Sequence, residues 1–503
     1  MLHDSGFNSL ERTNYSHSVG ITTLVDCKNV GLQKQFSRNI ILLLLINGLI
    51  KPLYLFGIDA QVQNEIGHES YGVYFALFNF CFLLQIVLDL GLQNYNTTYL
   101  SKNRKEAPNV FPYVFGTKLI LSAIFFGLVY GAYLLLRYPA HYQVILFGVA
   151  SFMILQSFYV YLRSHFSALG YFTTDAVLSG IDKLLMILIL GYFLYLKREI
   201  NIHLFILGQL IALALANLIA FFYLRTKFNL TLKFSLGKSK TLIQQSLGFA
   251  LVFLLMSLYT RMDGVMLERL VDDSGRASGL YASGYRLLDA ANILGYLFAS
   301  LLLPMFANLL SENKAVNPLI KAAMSLMLPL ISSIAFVGWF YSEEILSLIY
   351  RQVEHQNITA FKYLMASFWF MSIAYIFGSL ITASAKLKVF NSIFVVGIII
   401  NWVLNLLWIP QSQAIGAAQA TLITQAVVCL GQVLLAHKRF QLKIASSMFF
   451  KVVIIVIITF ILCYYLSRVS EMNWIIEVMI IAVFVILASF LSGVLRLFKA
   501  EFS

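Results

Sequence analysis

Charged side chains are scarce in this chain. Asp, Glu, Lys and Arg together make up 12% of its 503 residues, whereas 60% are hydrophobic and the mean hydropathy is +0.80. A soluble domain carries about 25% charged residues, so a water-soluble fold is excluded. Cysteine is almost missing too, with four in all. Cys27 falls in a polar N-terminal arm, and Cys81, Cys429 and Cys463 fall in apolar runs. No pair has metal-ligand spacing and none is expected outside the cell, so these are read as free thiols. The eight histidines are scattered without an HExxH pattern. Gly237-Lys238-Ser239 ends like a phosphate-binding loop, but Leu232 stands where the upstream glycine is required. Metal-dependent catalysis and ATP hydrolysis therefore find no residues to carry them. Residues 1–36 have no apolar core of a secretory signal, and the first apolar run is expected to act as its own insertion signal.

Long apolar runs are abundant. About 20 apolar residues cross a ~30 Å hydrocarbon core, and fourteen such spans are predicted at 38–58, 72–92, 111–136, 142–163, 173–196, 203–224, 243–260, 279–304, 320–340, 361–383, 388–409, 414–436, 447–466 and 474–495. With the N-terminus inside, cytoplasmic segments hold 23 Lys and Arg and external segments hold 8, the remaining five lying within spans. That bias predicts both termini in the cytoplasm. It also accounts for the net charge of +13 as an attraction to anionic inner-leaflet lipid rather than to nucleic acid. The longest external connectors, 261–278 and 341–360, are too short for a soluble domain.

An internal repeat runs along the chain. Ser70-Tyr71-Gly72-Val73-Tyr74 opens the second span, and its segment closes on Leu100-Ser101-Lys102-Asn103. Ser278-Gly279-Leu280-Tyr281 opens the eighth, which closes on Leu310-Ser311-Glu312-Asn313. Phe166 to Phe172 is echoed by Thr382 to Phe390 in the same way. An offset of six spans preserves orientation in the membrane. The expected architecture is all-α and integral to the membrane: about fourteen transmembrane helices, two pseudo-symmetric six-helix lobes around a central cavity, and two C-terminal helices. Expected boundaries are a cytoplasmic arm at 1–36, an N-lobe at 37–235, a C-lobe at 236–445, and spans 13 and 14 with the C-terminus at 446–503.

An ionisable residue at mid-bilayer costs roughly 2.5–3.5 kcal/mol on insertion scales, yet several occur. Lys51, Lys118, Lys183, Arg261 and Arg286 lie within or near the ends of spans, accompanied by Asp89, Asp182, Asp263 and Asp289. Arg286 and Asp289 are three apart and share a helix face, where they are able to pair. Asp182 and Lys183 diverge by about 100° around their helix, so no local pair is expected there. Pro52 predicts a bend beside Lys51. Five cations against four acids give a cavity with a positive bias, suited to an anionic ligand. The five cations are the candidate substrate-binding residues, with Lys51, Arg261 and Arg286 on phosphate and Lys118 and Lys183 in support. Arg261 and Asp263 lie near the external end of the seventh span, where headgroups are the alternative partner. Without a nucleotide site, uphill transport needs coupling to an ion gradient or to a partner, and Asp89, Asp182, Asp263 and Asp289 are the candidates for binding H⁺ or Na⁺. No other cofactor is expected.

Ile66-Gly67-His68-Glu69-Ser70-Tyr71-Gly72-Val73-Tyr74 followed by Asp89-Leu90-Gly91-Leu92 resembles the opening helices of bacterial polysaccharide flippases, members of the multidrug/oligosaccharidyl-lipid/polysaccharide exporter superfamily. Arg261-Met262-Asp263 through Met266-Leu267, then Gly279-Leu280-Tyr281-Ala282 and Arg286-Leu287, resembles their seventh and eighth helices, and Ile415-Gly416-Ala417-Ala418 the start of their twelfth. The resemblance covers about residues 37–440. It implies alternating-access export of an undecaprenyl-pyrophosphate-linked O-antigen or capsule repeat unit across the bacterial inner membrane. Arg286 would correspond to the eighth-helix arginine and Lys51 to a first-helix cation. Asn64 and Thr98 stand where relatives often carry arginine. Membrane lipid, the lipid-linked oligosaccharide and polysaccharide polymerase machinery are the expected partners, and a monomer the expected state. Two rival readings make other demands. A multidrug exporter of the same fold requires an acidic cavity. A membrane polysaccharide polymerase or ligase requires catalytic groups on an external loop, for which 341–360, with Glu343, Glu344, Arg351, Glu354 and His355, is the best place.

Overall fold

The computed structural model describes residues 46, 48–93, 96–97, 100, 107–227, 236–384, 387–442 and 447–491. The N-terminal arm with Cys27, and Thr98, lie outside them. No strand occurs among the described residues, as expected where every backbone polar group must be satisfied without water. Among the described residues, eleven helices are long and apolar enough to cross a membrane.

Two of the eleven are broken. The helix Gly48–Leu88 is interrupted at Gly67, with φ 81° and ψ 166°, a backbone conformation open in practice to glycine alone. This gives α1 (48–66) and α2 (68–84). The helix Leu387–Phe440 is interrupted at Gln413, giving α11 (387–412) and α12 (414–440). The other helices are α3 Ala107–Leu135, α4 Gln143–Ala168, α5 Phe172–Gly191, α6 Ile202–Lys227, α7 Leu236–Leu270, α8 Arg276–Ser311, α9 Asn317–Phe340, α10 His355–Ala383, α13 Ser447–Val469 and α14 Trp474–Leu491. Counted across the two breaks the eleven become thirteen, and α7, which is not one of the eleven, brings the long helices among the described residues to fourteen, the number expected.

Differences from the expected boundaries have local causes. The predicted connector 59–71 is helical except at Gly67, because a single glycine suffices for the reversal. α7 runs on to Leu270, and Asp273 caps α8 by accepting from the N–H groups of Gly275 (3.1 Å) and Ala277 (2.7 Å). The predicted connector 341–360 contains a short helix, Ser342–Ile349, and a capping box in which Glu354 and Asn357 close the first turn of α10. Glu343 and Glu344 sit in the first turn of that short helix, where they complement its dipole. Residues 51–54, where Pro52 predicts a bend, are helical, and a π-segment follows at Leu55–Asp59.

The first six helices and the next six form the two lobes, and α13 and α14 pack on α9 around Tyr341, Cys463, Leu466 and Ile481. Tyr341 donates to the buried Glu477 carboxylate of α14 at 2.8 Å. The lobes meet where α2 and α8, equivalent helices of the repeat, cross. A Cβ on Gly279 would lie 2.0 Å from the His68 carbonyl oxygen, and one on Gly72 would lie 1.9 Å from that of Gly275. Two backbones this close tolerate no side chain. Gly279→Ala should therefore prise the lobes apart at this end. The expected readout is a shift to longer distances between spin labels at Glu69 and Asp272; an unchanged distance distribution would mean that this contact does not hold the lobes together.

Candidate functional site: the charged seam between the lobes

α1, α2, α7 and α8 bring charge to the seam. Asp59, on the last turn of the π-segment, is buried and accepts from the Tyr71 hydroxyl at 2.7 Å. Arg286 of α8 reaches across the seam to both, its Nε lying 3.0 Å from the Asp59 carboxylate and 3.1 Å from the Tyr71 oxygen. The Arg286 guanidinium lies over the rings of Phe75 and Phe78, 5.6 and 5.7 Å from their centroids. Only Nε is engaged. Its two Nη nitrogens have no hydrogen-bond partner among the described residues, so the part of arginine that grips phosphate with two donors stays available.

One turn deeper, Arg261 of α7 makes a two-pronged contact with Asp289 of α8 at 3.2 and 3.3 Å. It is sandwiched between the rings of Phe82 and Tyr285. Phe75, Phe78 and Phe82 follow helical spacing along one face of α2, so a single aromatic stripe underlies both arginines. Asp289 is 30% exposed and Asp59 4%, so the Arg261 pair is the wetter of the two.

Several expectations need correcting. Of the two arrangements open to Arg286 and Asp289 on their shared helix face, local pairing or both facing water, neither occurs: each takes a partner from another helix. Asp182 and Lys183 do pair, at 3.5 Å, because the long lysine stem swings back over the Tyr54 ring, 4.8 Å from its centroid. Lys118, expected to support an anion, is 1% exposed and spends its three N–H groups on Leu88 O (3.1 Å), Asp89 (3.0 Å) and Ser157 (2.7 Å). It is a tie between α3, α4 and the end of α2. Asp89, Asp182 and Asp289, each proposed to bind an ion, are held by Lys118, Lys183 and Arg261. The positive bias also shrinks, since Asp59 lies one residue past the predicted end of the first span and was left out of the count. Among the five cations only Lys51 forms no ion pair with a described residue. It is exposed on α1, a turn before Tyr54, with Asp182, Lys183 and Arg163 as its charged neighbours. The cations thus form separate groups, Arg261 with Arg286 and Lys51 with Lys183, and Lys118 stands apart.

Asp263 differs from the other acids. It is 1% exposed, enclosed by protein, and no cation among the described residues pairs with it. Four neutral groups converge on its carboxylate: Asn401 (2.9 Å) and Asn405 (2.7 Å) of α11 on one oxygen, Tyr281 of α8 (2.8 Å) and Thr421 of α12 on the other. Asn405 Oδ1 is buried without a partner. The amide orientation of an asparagine is an assignment, and turning both amides would point their oxygens at the same spot as the carboxylate. The Asp263–Tyr281 bond repeats Asp59–Tyr71 in the other lobe. Two asparagines one turn apart in an otherwise apolar run were the sequence signal for this cluster.

A clasp closes the seam at the Gly67 end. Asn64 donates to Ile349 O (2.9 Å) and accepts from the Arg351 N–H (3.0 Å), while Arg351 pairs with Glu65 at 2.9 Å. Gln63 donates to Gly279 O at 2.8 Å. Asn64 therefore has a place of its own without the arginine found in relatives. Glu354, besides its cap, pairs with Arg276 at 2.6 Å. Of the acids of 341–360, Glu354 is thus occupied in capping and pairing, while Glu343 and Glu344 are exposed in the first turn of the short helix.

Comparison with known proteins follows the same line. Residues 36–310 match the family model described as polysaccharide biosynthesis protein. A search of curated proteins gives no match. Among solved structures, the chain is similar to the lipid II flippase MurJ in an inward closed conformation, with 14% identity, a TM-score of 0.67, and 92% of this chain and 100% of that chain covered. It is also similar to a transporter of the MOP superfamily from Pyrococcus furiosus (12% identity, TM-score 0.59, 80% and 94% covered). A mutant of the Vibrio cholerae MATE transporter VcmN is a further match (15% identity, TM-score 0.54, 83% and 97% covered). The fold is that of these transporters.

Proposed function

The chain belongs to the polysaccharide biosynthesis protein family, and from that premise we propose that it is a flippase. It would carry an undecaprenyl-pyrophosphate-linked oligosaccharide repeat unit across the bacterial inner membrane by alternating access, as a monomer with both termini cytoplasmic, and deliver it to polymerase machinery on the other side. The observation that carries this reading is Arg286, whose two Nη nitrogens are free at a seam between two lobes. In this scheme the diphosphate docks on those nitrogens. Because Asp59 is held by Nε of the same guanidinium, an arriving anion competes with the bond that joins α1 to α8. Arg261 adds a second guanidinium one turn deeper, and Lys51 and Lys183 flank the approach along α1 and α5. The Gly67-end clasp must open for release, and the two lobes rock about the seam.

Asp263 is the proposed coupling site. Its oxygen-rich surroundings and missing counter-cation suit Na⁺ or a proton, whereas Asp89, Asp182 and Asp289 are already neutralised by bases.

The deciding experiment is a leaflet-translocation assay in proteoliposomes with an undecaprenyl-diphosphate-linked sugar, run with and without Na⁺ or proton gradients. Transfer between leaflets, accelerated by one gradient, is the expected result. Transport of cationic drugs instead would point to a multidrug exporter, and joining of repeat units by the purified protein would point to a polymerase; either outcome replaces this reading.

A further inference from the structure

A partly open cavity of about 430 Å³ lies between α7, α8, α10, α11 and α12 of the C-lobe, with Tyr296 exposed at its edge. That is within the usual range for a small-molecule site, ~300–1,000 Å³. Among the described residues its lining contains no Asp, Glu, Lys, Arg or His. A charged ligand would gain no counter-charge from that lining, so both the diphosphate and any drug cation are poor occupants. Aromatic rings supply the walls: Tyr259 stacks on Phe394 at 5.7 Å and 15°, and Phe390 meets Phe394 edge-on at 4.6 Å. Two amides project from α12. Gln425 and Gln432 are 2% and 3% exposed, and neither makes a hydrogen bond to a described residue. Gln432 Oε1 is buried with no partner.

Two buried amides without partners argue against a hydrocarbon occupant, because a lipid tail leaves their donors and acceptors unsatisfied. A neutral sugar meets both demands. The C–H face of a pyranose ring packs on aromatic rings, and its hydroxyls pair with amides. The position fits as well. Thr260 lines the cavity and is followed directly by Arg261, and the Tyr285 hydroxyl that donates to Thr260 O at 2.5 Å belongs to the ring beneath that arginine. A diphosphate at the seam would therefore have the cavity one residue away.

We propose that this C-lobe cavity is the subsite for the uncharged carbohydrate of the cargo, with Gln425 and Gln432 as its hydrogen-bonding groups and Tyr259, Tyr375 and Phe394 as its stacking walls. The proposal rests on the flippase reading above. It divides recognition in two: the seam arginines read the diphosphate common to all such lipids, and the cavity reads the sugar.

Two variants test it in a host strain lacking its own copy of the gene, so that the native repeat unit is the probe. Ala374→Phe fills the cavity. Gln432→Leu keeps the volume and removes one amide. Surface polysaccharide should fall at least about ten-fold in each, the size of effect that a buried polar group left unpaired produces. In the same purified proteins, undecaprenyl diphosphate without sugar should raise the melting temperature as much as in the wild type. Normal export by the filled variant overturns the proposal, as does an equal loss of bare-lipid binding in both variants, which would make the cavity a lipid site. If Ala374→Phe shows no melting transition, Gln432→Leu decides alone. Arg286→Ala serves as the separate control: normal export in that variant removes the flippase reading itself, whereas its loss beside unaffected cavity variants removes only the subsite.

Discussion

Replacing Arg286 by alanine is expected to abolish polysaccharide export while the protein still reaches the membrane. The loss should be roughly 100-fold or more, since truncating one partner of a desolvated, charge-assisted contact costs about 2–5 kcal/mol. The substitution has a second consequence in the seam, where Asp59 is left as a buried carboxylate with only the Tyr71 hydroxyl beside it. Breaking such a pair costs about 3–5 kcal/mol of stability, so a lower melting temperature is expected too. The two effects separate in a double variant. Asp59→Asn in the Arg286→Ala background removes the orphaned charge, and stability should return. Export should not return, because the free Nη donors are still missing. Recovery of export in the double variant would reduce Arg286 to a counter-ion for Asp59 and leave the diphosphate without its main ligand. Arg286→Lys is expected to resemble the alanine variant in export, because a point charge on a flexible stem cannot bond Asp59 and a phosphate along separate edges.

Asp263→Asn is expected to uncouple the transporter. Translocation in vesicles bearing an ion gradient should drop to the rate seen without one, a change of about ten-fold or more, while exchange down the cargo's own gradient continues. The substitution keeps size and one acceptor oxygen; its NH2 donates where the carboxylate accepted, so the hydroxyls of Tyr281 and Thr421 must turn to accept from it while the two asparagines still donate to its oxygen. The charge is lost and the packing is kept. Asn405→Ala identifies the ion. If Na⁺ sits at this cluster, removing one oxygen ligand raises the Na⁺ concentration needed for half-maximal transport. If a proton does, the pH profile moves and Na⁺ has no effect. A variant at Asp263 that still responds to the gradient would send the search for coupling elsewhere.

The Gly279→Ala prediction differs in kind, since it concerns packing alone. It tests whether the lobe contact seen at the Gly67 end is a closed gate. The same contact explains a feature of the repeat. Ser70-Tyr71-Gly72 and Ser278-Gly279-Leu280-Tyr281 are similar because the two helices cross each other at their glycines, and each places a tyrosine against an aspartate of the preceding helix.

Membrane location, the approximate helix number and the repeat of equivalent helices were legible in the linear chain, because hydrocarbon imposes a length and a composition on each crossing and both can be read residue by residue; that two equivalent helices cross each other was not. Gly67 was not singled out as a break: 59–71 read as a connector, because the sequence does not tell a loop from two helices joined at a single residue with φ near 80°. Charge partners were not legible either. Arg286 ignored Asp289 three residues away and bonded Asp59 from the other lobe; Lys183 bent back to the neighbour from which helix geometry seemed to separate it; Asp263 was surrounded by amides and hydroxyls from three other helices. Such pairings depend on the rotation and crossing of helices far apart in sequence, and side chains as long as Arg and Lys reach several alternatives at similar cost. Which of them wins is settled only when neighbouring helices displace water from the seam, and that choice belongs to the packed lobes.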